Sequence, residues 1–184
     1  MDSNIENIKK FITENIIVDR FPIAKEVQYG GKYTGIQVII NVSDEFYLGN
    51  DELIIKNGKL VYYFPMGEIL PDMGVNSLYG AMQVLYHIYL WHPEWKVLLH
   101  CQAGRNRSPT VKAAFHYMMT GEHLSGVVNR LIENCNEGYL PTLPLMEAFL
   151  SKCKEAFDNQ EKFFGGIFDW IMSESGLSTR YKII

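Results

Sequence analysis

The segment from Val97 to Ser108, VLLHCQAGRNRS, constrains this chain more than any other. Lys96 to His100 is a β-prone, largely apolar run of strand length, and Ser108 to Thr120 reads as a helix. Pro109 falls in the first turn of that helix, where a missing N–H costs little, and Gly121 closes it. Only Cys101 to Arg107 joins the two. A connection this short must curl. Curling turns successive backbone N–H groups inward against a helix N-terminus and makes an anion-sized cradle. Gly104 supplies the backbone angles the curl needs. Cys101 then lies on the cradle floor, where the donors that hold an oxyanion also stabilise a thiolate. The Arg107 guanidinium can grip two oxygens of a phosphoryl group. Ser108 can donate to the sulfur and help it leave in a second step, and His100 can orient the loop through backbone contacts. A buried structural cysteine in a polar turn explains Cys101 alone. It does not explain the His, the Gly, the two Arg and the strand-to-helix placement together.

The rest of the chain frames this unit. Asp2 or Ser3 can cap a short helix carrying Ile5, Ile8, Phe11 and Ile12 on one face, and Asn15 to Val18 reads as a short strand. Gly35 to Val42 is β-branched and apolar on both faces, as a buried central strand is. Glu52 to Lys56 and Lys59 to Phe64 flank Asn57-Gly58, a hairpin signal. Pro65 to Asn76 reads as a loop. Ser77 to about Trp91 reads as a helix with Leu78, Met82, Leu85 and Ile88 or Tyr89 inside, ended by His92-Pro93. Leu124 to Cys135 and Leu143 to about Phe157 complete a run of helices. Strands early and helices late, with a strand–loop–helix unit between, predict an α/β sandwich. From Glu161 to Ile184, Phe163, Phe164, Ile167, Phe168 and Ile171 suggest a last helix that Gly165-Gly166 weakens.

Composition narrows the function classes. A length of 184 residues suits one domain. A formal net charge of −4 argues against a broad basic face for nucleic acid but leaves room for a local basic pocket. Cys101, Cys135 and Cys153 are odd in number and not at metal-ligand spacing, which fits a reducing compartment and no disulfide framework. Met1 to Lys10 has no long apolar run, so no signal peptide is expected. The longest apolar stretches are strand-length, so no membrane span is expected, and the default location is cytoplasmic. His87, His92, His116 and His123 read as structural or surface residues, with no metal and no cofactor expected.

His100-Cys101, five residues, then Arg107-Ser108 resembles the signature of the cysteine-dependent protein tyrosine phosphatase superfamily. Val38 to Ser43 (VIINVS) resembles the early strand of its dual-specificity branch, and the chain length is similar to that branch. The resemblance covers roughly Ile16 to Phe149. It implies a phosphatase-like sandwich with a central mixed sheet flanked by helices. Residues 1–184 would form one catalytic domain with its core at about 16–157 and a C-terminal extension at 158–184. It further implies hydrolysis of phosphate monoesters through a phosphocysteine, with phosphotyrosine in proteins as substrate and phosphoserine and phosphothreonine beyond it. Catalytic roles fall on Cys101, Arg107, Asp72 and Ser108, and substrate binding on His100, Gln102, Ala103, Gly104, Arg105 and Asn106.

The acid that protonates the leaving oxygen is read on Leu70 to Val75 (LPDMGV), which resembles the family's Trp-Pro-Asp loop with Leu for Trp. Asp72 lies 29 residues before Cys101. A plain alternative is a loop Asp capping the next turn. Glu68 is the rival acid. Asp44 is a weaker rival, at a position that more often shapes the pocket wall. A deep pocket wall with its Tyr and a distal Gln-bearing loop have no clear counterpart. Asn136 to Leu145 takes the loop's place without Gln, with Thr142 or Asn136 as substitutes, and Tyr29 and Tyr33 suit either the entrance or the core. Arg105 is a solvated arginine or a contact for a substrate with extra phosphates, such as a phosphoinositide or inositol polyphosphate. Asn106 before Arg107 resembles the RNA triphosphatase branch, yet net acidity and the Asp72 acid count against RNA. The expected partner is a phosphoprotein or a phosphorylated small molecule. A phospho-binding module without turnover is a third alternative.

Overall fold

Val38, Ile39, Ile40 and Val42 are all buried, so both faces of their strand are covered, as the apolar run predicts. The computed structural model describes residues 2–21, 33–44, 58–67, 74–122 and 126. These belong to one compact unit, Met1–Glu147; a second unit, Ala148–Ile184, lies outside the described residues. The elements in chain order are α1 (Asp2–Glu14), β1 (Ile16–Asp19), β2 (Ile36–Ser43), β3 (Leu60–Met66), α2 (Val75–Trp91), β4 (Lys96–His100) and α3 (Arg107–Thr120). The strands stand in the order β1-β4-β2-β3, and the three described pairings are parallel. Parallel neighbours need long crossovers; among the described residues α2, which packs on β3, lies between β3 and β4 in the chain, while α1, ahead of β1, packs on β1 and against α3. The other arm of the expected hairpin, Glu52 to Lys56, which would give the mixed sheet its antiparallel member, lies outside the described residues.

The register places residues in rows across the sheet. Ile17, Leu98, Ile39 and Val61 form one row, packed with Tyr33 and Ile36. Two residues further along, at the carboxyl end, the row reads Asp19, His100, Asn41 and Tyr63. The apolar core therefore stops and a buried polar layer begins where the strands end, the edge at which open parallel sheets bind ligands. Tyr33 belongs to the core rather than to a pocket entrance.

Several expectations shift. The buried stripe of α1 starts at Ile8, because Ile5, near the free end of the helix, is 39% exposed. Ile88, not Tyr89, is the fully buried residue in the last turns of α2. The loop expected from Pro65 is shorter, since β3 continues to Met66 and α2 begins at Val75. Asn41 faces Tyr63 while Ser43 faces Met66, so β3 carries one extra residue. Pro65 falls in that bulge, where no ladder N–H is demanded of it. Of the expected helices Leu124 to Cys135 and Leu143 to about Phe157, Gly126 is described and is helical; their other residues and the tail beyond lie outside the described residues. Among the described residues, no helix is long and apolar enough to cross a membrane.

Candidate active site

β4 delivers His100 and Cys101 to the polar end of the sheet, and the chain then curls through 102–106 into α3. Cys101 is 2% exposed, and its Sγ accepts a hydrogen bond from Ser108 Oγ at 3.3 Å. The sulfur thus faces the first turn of α3. Asn106 stands at the N-cap but makes no side-chain capping bond; its carbonyl instead accepts from the Thr110 N–H at 2.9 Å and from Thr110 Oγ1 at 2.7 Å. An uncapped helix start leaves its first N–H groups for an anion. At the other end, Gly121 takes the left-handed conformation and its N–H bonds the Tyr117 carbonyl, as expected for a helix stop.

The loop is pressed onto the end of β1. Gly104 has φ +67°, and a Cβ there would come within 2.6 Å of the Asp19 carbonyl carbon and 2.7 Å of the Arg20 nitrogen. Beside it the Phe21 N–H donates to the Gln102 carbonyl at 3.0 Å. Gly104→Ala therefore combines left-handed strain with a backbone clash. We expect urea unfolding to show a loss of about 2–5 kcal/mol, the sum of the two costs. An unchanged unfolding midpoint would mean that the loop does not sit against β1.

Arg107 opens α3 with a side chain only 3% exposed. Its Nη1 donates to Asp44 Oδ1 at 2.5 Å and to the Met66 carbonyl at 3.0 Å, contacts from the carboxyl ends of β2 and β3. His100 is fully buried, edge-on to the Phe21 ring at 5.4 Å between centroids. Burial pushes its pKa down to about 4, against weaker upward pulls from the Cys101 backbone and the Asp19 charge, so the imidazole is neutral at neutral pH. Gln102, Ala103 and Arg105 are exposed on the loop, while Gly104 and Asn106 are buried.

The structure thus brings Cys101, Ser108, Arg107 and the 102–106 loop together at one edge of the sheet. Asp72 and Glu68 lie outside the described residues, as do Tyr29, Asn136, Thr142, His123, Cys135 and Cys153. His92 stacks on Trp95 at 3.8 Å and His116 bonds Glu122 at 3.1 Å, both away from the loop, and His87 is exposed. What sequence reasoning missed is the contact of Asp44 with Arg107. Its sole signal was a carboxylate directly after a buried strand.

No family model matches the chain, and no curated protein does. Solved structures do. Tk-PTP in its active form superposes with a TM-score of 0.65 at 19% identity, over 79% of this chain and 95% of that one. Human DUSP28 gives 0.59 at 16% identity, over 81% and 97%. The core catalytic domain of the PP-IP phosphatase SIW14 from S. cerevisiae gives 0.56 at 14% identity, over 82% and 90%.

The fold is that of the protein tyrosine phosphatases.

Within this tyrosine phosphatase fold, the curl between β4 and α3 sits at the carboxyl edge of the sheet, where the expected cradle belongs. The resemblance drawn from His100, Cys101, Arg107 and Ser108 and the sandwich drawn from element order agree with it.

Proposed function

We propose that the chain is a cysteine-dependent phosphatase of phosphate monoesters, with phosphotyrosine in proteins as its substrate class. The observation that carries this reading is the buried Cys101 sulfur held 3.3 Å from Ser108 Oγ at the start of a helix, with the buried Arg107 side chain at the end of the same loop. The Cys101 thiolate attacks phosphorus, the P–O bond to the leaving group breaks, and Asp72 gives that oxygen its proton. Water, deprotonated by the same carboxylate, then attacks the phosphocysteine. The S–P bond breaks, sulfur leaves as thiolate, and the Ser108 hydroxyl steadies the returning charge. The 102–106 loop surrounds the phosphoryl oxygens and Arg107 grips two of them. His100, kept neutral, supplies shape rather than charge. A free thiol suits a reducing, cytoplasmic setting.

The exposed Arg105 on the loop favours a second reading, a substrate with further phosphates such as a phosphoinositide or inositol polyphosphate. SIW14, a PP-IP phosphatase, is consistent with that alternative. Turnover of a phosphotyrosyl peptide, a phosphoinositide, an inositol polyphosphate and p-nitrophenyl phosphate by one preparation separates the two. Highest kcat/KM on the peptide supports the protein reading, and no turnover of any ester removes the phosphatase.

The acid assignment has its own test. Asp72→Asn is expected to lower kcat on a tyrosyl phosphate by about 10²–10⁴-fold. The loss should shrink on p-nitrophenyl phosphate, whose leaving group needs less protonation. Glu68→Gln should change little. Exchanged behaviour of the two variants would make Glu68 the acid.

A further inference from the structure

Phe21 touches the curl on both sides of Cys101. Its ring stands edge-on to His100, the residue before the cysteine, at 5.4 Å between centroids. Its N–H donates to the carbonyl of Gln102, the residue after the cysteine, at 3.0 Å. The second contact has a consequence inside the cradle. A peptide unit is planar, and in the trans form its C=O and N–H point in opposite directions. The described peptide bonds are all trans. The Gln102 carbonyl points out of the curl toward the end of β1, so the N–H of the same unit, that of Ala103, points away from β1. That is the side on which the curl closes, between the Cys101 sulfur and the first turn of α3.

The chain leaving β1 is held in place to make this contact. Asp19 Oδ1 accepts from the Arg20 N–H at 2.7 Å, and Arg20 Nη1 donates to the Phe21 carbonyl at 3.1 Å. Pro22 follows in the sequence, and the residue before a proline is restricted to extended backbone. Phe21 therefore carries on the direction of β1. Gly104 supplies the other half of the contact, since a Cβ there would meet the Asp19 carbonyl carbon at 2.6 Å and the Arg20 nitrogen at 2.7 Å. Ala103 lies between two residues that both rest on 19–21. The two orientations of the 102–103 unit differ sharply for an anion. With the carbonyl outward, the cradle gains a donor. Turned over, it presents a carbonyl oxygen to the phosphoryl oxygens and loses the Ala103 N–H. The Phe21 N–H rewards the first orientation.

We infer that Phe21 is a positioning residue of the cradle, its backbone N–H holding the Gln102 carbonyl outside the curl and so aiming the Ala103 N–H at the phosphoryl oxygens. The consequence for turnover rests on the phosphatase reading; the orientation of the peptide does not.

The test uses the full chain with Phe21 replaced by phenyllactic acid, its α-hydroxy analogue, which puts an ester oxygen where the N–H was and keeps the ring. Phe21→Leu is the companion, keeping the N–H and losing the ring. On p-nitrophenyl phosphate the hydroxy-acid variant should lose about 10²-fold in kcat, the low end for removing one oxyanion donor, because the donor is misaimed and not deleted. Phe21→Leu should lose far less. Orthovanadate, which adopts the shape of the transition state, should bind the hydroxy-acid variant more weakly by the same factor. In the wild type, the NMR signal of the Ala103 amide proton should move downfield when orthovanadate binds, and the hydroxy-acid variant should lose that shift. Unchanged kcat in the hydroxy-acid variant, an equal loss in Phe21→Leu, or a wild-type Ala103 signal that ignores bound orthovanadate overturns the assignment. So does a kcat loss that follows the thermal midpoint while the Ala103 shift is retained. If the wild-type chain turns over no phosphate ester, yet its Ala103 signal responds to orthovanadate and that of the hydroxy-acid variant does not, the phosphatase reading fails and the positioning role stands. A wild-type chain that neither turns over phosphate esters nor binds orthovanadate overturns both.

Discussion

Cys101→Ser is expected to lose turnover by about 10⁴-fold or more, the scale of removing a covalent nucleophile. The substitution changes one atom at a site where the side chain is almost wholly buried, so packing is nearly conserved. The serine hydroxyl stays protonated at neutral pH and is a poor nucleophile toward phosphorus. Ser108 would still face it, and the loop and Arg107 would still surround an anion. The variant should therefore bind orthophosphate while forming no phosphoenzyme. Mass spectrometry of acid-quenched protein checks this: the wild type should carry a phosphate adduct on Cys101 and the variant none. Residual kcat above about a hundredth of wild type, the loss expected from one missing donor, would show that Cys101 is not the nucleophile.

Arg107→Lys should be nearly as damaging although the charge is kept. An arginine on a transferring phosphoryl group is worth about 10³–10⁵ in rate, and a loss within that range is expected. Lysine has no planar fork, so it cannot grip two oxygens at once. It is also unable to hold Asp44 and the Met66 carbonyl through one nitrogen while presenting a second edge to substrate. Asp44 is half-exposed, so losing its ion partner costs little in stability. The expected outcome is a crippled enzyme that still unfolds cooperatively. Near-normal kcat/KM in the lysine variant would take Arg107 out of the site.

The parts of this site legible in sequence are those whose neighbours along the chain are also neighbours in space. Cys101, Arg107 and Ser108 belong to one curl between a strand and a helix, and Pro109 and Gly121 bound that helix at the positions where their backbone properties are useful. β2 and β4 were legible because a strand covered on both faces must be apolar throughout. The contact between Asp44 and Arg107 was not, because the residues lie 63 positions apart and meet only through the strand order β4-β2-β3. Pro65 misled for a related reason. Proline punctuates most chains, and only the pairing of β2 with β3 reveals a bulge that admits it. Tyr33 illustrates the same dependence, since a tyrosine suits core and pocket equally until the row of Ile39 and Leu98 is known.

The pairing of β1 with β4 has a consequence for how the molecule comes to life. Ile16 lies beside Val97, 81 positions away, and the end of β1 is also the surface on which Gly104 rests. Closing so large a loop is an entropic cost met before any contact rewards it, which makes such parallel pairings slow to form. Local helices can appear early during synthesis or refolding, but the curl around Cys101 has no backing until the first strand has found the fourth. Catalytic competence is then among the last properties the chain acquires. A refolding time course should show helical signal returning before activity, with the interval between them measuring the capture of β1.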